Sequence, residues 1–392
     1  MKITDVRTVL LSHSLPEGKR TRSDFGVRHK FDLALVVVET DAGLTGYGEA
    51  GGTPVVMKTI VEEQLRPLLV GEDPARLEYL WERMYSGSRL PLVQREGRSM
   101  PVAQGRRGEG MCALSGVDLA LWDLWGKHLN LPVYKLLGGA MRERIPCYAS
   151  GGWQEAKGAQ AEMAAYRARG FRAAKMRVGG MDRDLGESLD RIAAARAGLG
   201  EGLPLMLDAH GSMTPQSAVR LAQRAEPYGI AFFEEPVSPD DVAGLALVRR
   251  EGGLPVAAGE QLFTRWDFRD LILAGAADII QPDLAWVGGL TEARRVAALA
   301  STFGLTVVPH VWGSAVLFMA SLHWVAALPN LHIFEYATPP EHPLLHALVK
   351  PAVPEPGSDG CLALPPGPGF GFEIDREAAS RYPFGPGWNI NI

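Results

Sequence analysis

Residues 203–211 read LPLMLDAHG, residues 230–236 read IAFFEEP and residues 255–261 read PVAAGEQ. Each is a short apolar run, bounded by proline or glycine, that arrives at a carboxylate: Asp208, Glu234 or Glu260. Continuous apolar runs of this length suit strands covered on both faces. The same texture extends outward in both directions. IPCYAS starts at 145, FRAAKMRV at 171, ADIIQPD at 277, LTVVPH at 305 and HIFEY at 332. Helical or loop pattern follows each run. Eight near-equal units predict a modified β/α (TIM-type) barrel of α/β class. An open doubly wound sheet is the alternative, and the regular spacing favours closure.

The chain before residue 145 has a different pattern. Leu33 to Glu39 (LALVVVE) is β-rich, Asp41-Ala-Gly43 reads as a turn, and LTGYGEA resumes as strand, which predicts a hairpin. Helical patterns follow near Thr59 to Leu69, Ala75 to Tyr85 and Met111 to His128. The tail is rich in proline and glycine, returns to strand-like FEID, and is too short to fold alone. The expected organisation is an α+β capping domain over residues 1–125, a catalytic barrel over 126–350, and a tail over 351–392 that returns to the cap.

The chain has 392 residues with 40 basic and 45 acidic side chains, a formal charge of −5. A mildly acidic chain is a poor non-specific partner for nucleic acid. No apolar run approaches the roughly 18 residues of a membrane span, and the N-terminal pattern is unlike a signal peptide. The cysteines, Cys112, Cys147 and Cys361, are too widely spaced for a disulfide framework or a zinc pattern. A reduced, cytoplasmic setting is the expectation.

The chemistry gathers at the strand ends. Asp208, Glu234, Glu260, Asp283, His310 and Glu335 follow one another at intervals of 23 to 27 residues, the length of one β/α unit. Polar residues with that period reach one height around the C-terminal mouth, where this architecture builds active sites. Three carboxylates, Asp208, Glu234 and Glu260, meeting at one point repel strongly unless a cation joins them. An all-oxygen ligand set suits a magnesium ion, one per site. Lys175 and Arg177 alternate on one strand and so face the same side. Asp283 and His310 fall on neighbouring strands, so the carboxylate can orient the imidazole as a base. Glu235 reads as a structural neighbour of Glu234. Any one strand-end carboxylate could instead be a helix cap; the conjunction argues otherwise.

Taken together, ALSGVDLALWDLWGKHLNLPVYKLLGG (113–139), KMR (175–177), LDAHG (207–211), FFEEP (232–236), AAGEQ (257–261), QPDLAWVGG (281–289), VVPHVWG (307–313) and FEY (334–336) resemble the enolase superfamily, in its mandelate racemase branch. The resemblance covers essentially the whole chain. It implies a capping domain made from the N-terminal part and the tail. It also implies magnesium on Asp208, Glu234 and Glu260, and a His310–Asp283 dyad that removes the proton α to a carboxylate. Lys175 and Arg177 would lie beside that carboxylate, and Glu335 would hydrogen-bond it. Use of a Lys or His base with magnesium is general knowledge of this superfamily. A small carboxylate substrate and a homo-oligomer, from dimer to octamer, are further implications, with neither nucleic acid nor membrane as partner.

Two departures refine the expectation. Arg177 stands where a racemase carries a second lysine base, and arginine stays protonated. His210 stands where asparagine is common. It resembles the general acid of sugar-acid dehydratases, or it fills the asparagine's structural place. The favoured reading is a dehydratase that converts a sugar acid to a 2-keto-3-deoxy acid. A racemase, epimerase or lactone cycloisomerase is the alternative, and a non-catalytic scaffold the remote one. Specificity is expected from Ser14 to Lys30 and Gly51 to Val55. The first segment holds Lys19, Arg20, Arg22, Arg28 and His29, a basic set that could bind hydroxyls or a second carboxylate, with Arg22 and His29 the named candidates.

Overall fold

The computed structural model describes residues 1–23, 26–97, 106–339, 341–387 and 389–391; the side chains of residues 21–23, 88, 92, 96, 390 and 391 fall outside that description. Strands β1 (Ile3–Ser14), β2 (Lys30–Thr40) and β3 (Thr45–Ala50) form an antiparallel sheet in that order. The predicted Asp41-Ala-Gly43 turn joins β2 to β3, with Gly43 at φ +73°. Helix α1 (Glu109–Leu129) lies across this sheet. Its approach is close because the facing residues are small. A Cβ on Gly48 would stand 2.0 Å from the Gly116 carbonyl oxygen, and one on Gly46 would stand 2.1 Å from that of Ala120. The glycines of TGYGEA therefore let a helix backbone rest on a strand.

The α1 helix is buried on nearly every side because the barrel covers its other face. Trp122 Nε1 donates to Thr291 Oγ1 (2.9 Å), and Asp118 accepts from Thr291 N (2.9 Å) and Oγ1 (2.6 Å). Burial pushes the Asp118 carboxyl up to about 7.

Eight parallel strands follow: β4 (Arg144–Gly151), β5 (Ala174–Arg177), β6 (Leu205–Asp208), β7 (Ile230–Glu234), β8 (Val256–Ala258), β9 (Ile279–Ile280), β10 (Thr306–Val307) and β11 (Phe334–Ala337). They match the eight apolar runs one for one. Helices α2 (Ala156–Ala168), α3 (Leu185–Leu199), α4 (Pro215–Ala225), α5 (Val242–Glu251), α6 (Thr264–Leu273), α7 (Gly289–Thr302) and α8 (Ala315–Ala326) alternate with them. Asp184, Thr214 and Asp241 cap the starts of α3, α4 and α5 by accepting from backbone N–H groups. Strand pairing runs in chain order from β4 to β10, with β11 on the far side of β4. An isolated parallel bridge, Val307 to Leu331, links β10 to the segment leading into β11 and completes the ring.

Strand alternation sorts the barrel interior into layers. Tyr148, Ala173, Met206, Phe232, Ala257, Ile279 and Val308 form a separate buried apolar cluster. Asp208 and Glu234 each stand two residues beyond a member of that cluster on the same strand, and Lys175 stands two beyond Ala173, which immediately precedes β5. The polar groups thus rest on a buried apolar floor.

In the tail, the strand-like FEID pairs with Val349–Lys350 through Glu373–Ile374. Contacts with the N-terminal part begin before it, where Phe370 N donates to Asp123 Oδ1 (2.9 Å), and continue within it, where Glu373 meets Lys127 Nζ (2.9 Å). Ser12 N donates to Tyr382 O (3.1 Å), Lys30 Nζ to Gly385 O (2.7 Å), and Ile390–Asn391 pairs with the short strand Gly26–Arg28. Among the described residues no helix is long and apolar enough to cross a membrane.

Candidate active site

A cavity of about 750 Å³ opens at the C-terminal ends of the strands, under the capping sheet. The barrel contributes Lys175, Arg177, Asp208, His210, Glu260, Gln261 and His310 to its lining.

Lys175 is fully enclosed at its base. Its Nζ lies 2.5 Å from Glu234 Oε1, 3.0 Å from Glu335 Oε1 and 3.3 Å from Asp208 Oδ2. Burial works against the ammonium, but Glu234 and Glu335 more than offset it and hold Lys175 charged. Arg177 Nη1 donates to Asp208 Oδ1 at 3.0 Å. Both basic residues of β5 therefore turn to the same acidic group.

Glu234 receives a second donor, Gln281 Nε2, at 2.7 Å. Its carboxyl is nonetheless pushed up to about 8, first by burial and then, against the pull of Lys175, by Asp208, Glu335 and Glu260. There is more negative charge here than the protein's own cations balance.

Glu260 sits between two imidazoles. His210 Nε2 is 2.8 Å from its Oε1 and His310 Nε2 is 3.6 Å from its Oε2. Burial would raise Glu260; His310 and His210 outweigh that and hold it well below the ordinary range. His310 Nδ1 lies 2.6 Å from Asp283 Oδ2, and Asp283 Oδ1 accepts from Ala285 N at 2.6 Å. An isolated parallel bridge joins the two residues' backbones. Burial lowers His310, but Glu260 and then Asp283 raise it well above the usual imidazole value. Glu335 Oε2 accepts from Val311 N at 2.6 Å.

Three placements differ from the sequence reading. Strand alternation from Asp208 would carry His210 to the same side of β6, but the strand ends before it. It lies beyond the end of β6 with φ +46°, and the left-handed turn swings its ring to Glu260. Glu235, set aside in the sequence, is buried with φ +34°; Gln261 Nε2 donates to its Oε2 at 3.2 Å while Oε1 has no partner. His210, Glu235 and Glu260 offer ligand atoms within 4.8 Å of one another, a group able to hold a metal ion. The third concerns the basic cap segment. Arg28 lines the cavity and its neighbour His29 does not, because adjacent residues of a strand point to opposite faces. The side chain of Arg22 lies outside the described residues.

The cap contributes Gly52, Thr53, Pro54 and Val55, and aromatic walls come from Trp153, Trp286, Trp312 and Phe384. Gly51 lies against Trp286: a Cβ there would stand 2.6 Å from the indole Nε1. Sequence reasoning also passed over Glu49. From β3 it accepts Ser314 N (3.1 Å), Ser314 Oγ (2.5 Å) and Leu317 N (3.2 Å) at the start of α8, just beyond the His310 segment. Burial pushes its carboxyl up to about 7. Glu49→Ala leaves two buried backbone donors without partners. It is expected to lower stability by about 2–4 kcal/mol in urea unfolding, and an unchanged midpoint refutes this role.

Two family models cover nearly the whole of this architecture. The description "Mandelate racemase / muconate lactonizing enzyme, N-terminal domain" matches residues 7–138, and "Enolase C-terminal domain-like" matches residues 158–379. The chain belongs to the mandelate racemase/muconate lactonizing enzyme family of the enolase superfamily. Within this family it is 36% identical to D-galactarolactone cycloisomerase of Agrobacterium fabrum, over 97% of this chain and 99% of that one. It is 31% identical to arabinonate dehydratase of Saccharolobus solfataricus, again over 97% and 99%. A solved structure described as a racemase from Streptomyces coelicolor A3(2) with bound magnesium superposes with a TM-score of 0.84 at 33% identity, covering 97% of this chain and 99% of that one. The chain is an enzyme of this family, whose named relatives include both lyases and isomerases.

Proposed function

We propose that this enzyme removes the proton α to the carboxylate of a sugar acid and expels the oxygen at the β carbon. An aldonate or aldarate would become a 2-keto-3-deoxy acid. The observation that carries the reading is the orientation of the His310 ring. Asp283 engages Nδ1, which leaves Nε2 facing the cavity, within reach of the carboxylate ring around Lys175. A neutral His310 held that way has its lone pair on Nε2, where a substrate proton can be taken.

The surplus of buried carboxylates fits a divalent cation. We assign magnesium to Asp208, Glu234 and Glu260, since a hard ion favours oxygen. The cluster of His210, Glu235 and Glu260 is the competing set, and its imidazole suits a softer metal better. Bound magnesium would polarise the substrate carboxylate and stabilise charge that builds as the proton leaves. Lys175 adds a fixed positive charge at that place, and Glu335, held by Val311 N, lies beside it. Arg177, protonated and paired with Asp208, offers no base on the opposite face, which disfavours racemisation.

Departure of the β-oxygen needs a proton. His210 is positioned by its own backbone turn and by Glu260 to give one, with His310 able to return the proton it took as the alternative donor. His210→Asn is expected to keep exchange of the substrate α-proton in deuterated solvent. Formation of 2-keto acid should fall by about 10²–10⁴-fold. Full dehydration by this variant moves the acid role to His310.

Similarity to the galactarolactone enzyme favours a second reading. Where the β-oxygen belongs to a lactone or anhydro ring, the same elimination opens the ring and the product keeps the substrate's mass. Mass spectrometry of products from open-chain and lactone sugar acids separates the two readings. An absence of α-proton exchange with every acid tested removes both.

A further inference from the structure

Among the described residues lining the cavity, the cap contributes one cation, Arg28, beside two acids, Asp32 and Glu109. Among the described residues no carboxylate lies within ion-pairing distance of its guanidinium, which sits over the Phe31 ring, 5.3 Å from the centroid. Asp32 is the nearby acid, but its oxygens are taken by Lys30 Nζ at 3.1 Å and Ser12 Oγ at 2.6 Å. Arg177, the other guanidinium lining the cavity, gives Nη1 to Asp208. Burial and then the Arg177 charge hold Arg28 below its ordinary value, while Asp32 acts in the opposite direction. Arg177 is paired with Asp208, whereas the Arg28 guanidinium lines the cavity without a carboxylate in contact among the described residues, so an anionic group of a ligand can pair with it.

The backbone that carries Arg28 is fixed on both sides. Gly26–Arg28 pairs with Thr21–Ser23 and with Ile390–Asn391. Leu15 N donates to His29 O (2.7 Å), and His29 N donates to Asn389 O (3.1 Å). Phe384, Pro386, Gly387 and Asn389 extend the same wall. A guanidinium presented this way is pre-organised, so little conformational entropy is lost when a planar anion binds it.

We propose that Arg28, in the field of Arg177, is a second anion site in the cavity, and that it receives the distal carboxylate of a diacid substrate. This rests on the reading above, in which the first carboxylate lies at Lys175 and the magnesium site. The substrate class narrows accordingly to aldarates and their monolactones. A monoacid ends in a neutral hydroxymethyl group and leaves Arg28 without a partner. A carboxylate there can accept two parallel hydrogen bonds from the guanidinium fork.

The test is calorimetric titration of the magnesium-loaded enzyme with two matched pairs, galactarate against galactonate and glucarate against gluconate. The unmodified enzyme should bind the diacid of at least one pair tenfold or more tightly over its monoacid. Arg28→Gln should bring that ratio close to one, and Arg28→Lys should restore part of it. Equal binding within both pairs by the unmodified enzyme, or no binding at all, overturns the proposal. So does a ratio that Arg28→Gln leaves unchanged. The unmodified-enzyme comparison stands even if the variants fail to fold. Measuring α-proton exchange on the same preparation separates the two claims. Exchange without diacid preference defeats the Arg28 site alone, whereas no exchange with any acid defeats the functional reading.

Discussion

Glu260→Gln is expected to lose turnover by at least about 10³-fold, with a cooperative unfolding transition retained. The residue does two things at once. It is a proposed magnesium ligand, and its charge is the leading influence that raises His310 against the effect of burial. The variant should therefore show weaker magnesium binding by titration, and a His310 ring that titrates at lower pH in the metal-free protein. The second readout comes from an NMR titration. A merely structural Glu260 would leave the imidazole titration where it was. Glu234→Gln should match the metal defect, because Glu234 lies among the same carboxylates. Glu235→Gln is the discriminating variant: retained magnesium affinity supports the oxygen ligand set, and loss equal to that of Glu260→Gln supports the cluster containing His210. Near-normal turnover of Glu260→Gln in chelator-treated buffer would falsify the assignment.

His310→Asn should abolish exchange of the substrate α-proton, a loss of about 10⁴-fold or more. Asparagine keeps a hydrogen-bonding group near Asp283 but has no basic nitrogen. Asp283→Asn should be less severe, about 10²-fold or more, because the base survives while its orientation and tautomer do not. Exchange followed by NMR in deuterated solvent isolates this step from later loss of oxygen. If His310→Asn still exchanges, the base is Lys175. That outcome would require the ammonium to give up its proton while in contact with Glu234 and Glu335, which hold it charged.

The positions legible in the sequence were those governed by strand periodicity. Asp208, Glu234 and Glu335 lie within β6, β7 and β11, and Lys175 and Arg177 within β5, so strand geometry governs where they point. Glu260, Asp283 and His310 fall two or three residues past their strands, close enough for the same count to locate them. Periodicity stops informing where the backbone leaves the strand. His210 and Glu235 take left-handed conformations that no apolar pattern announces. His29 was named a candidate and Arg28, which lines the cavity, was not, because the phase of the short Gly26–Arg28 strand carries no hydrophobic signal. Glu49 was hidden for another reason. Its partners, Ser314 and Leu317, are more than 260 residues away and belong to a different layer of the fold.

The apolar floor under the reactive groups bears on how such an enzyme can change. Lys175, Asp208 and Glu234 come from three different stretches of chain, and each stands one alternation above a packed side chain. Replacing one of them leaves the packing beneath intact, so the barrel can drift in chemistry without first being redesigned as a barrel. What resists drift is electroneutrality. Lys175, Arg177, the carboxylates and the two imidazoles behave as one electrostatic body resting on a medium that screens poorly. A lineage that swapped one cation for a neutral group would have to lose an acid elsewhere in the ring, so substitutions at this mouth should arise in compensating pairs.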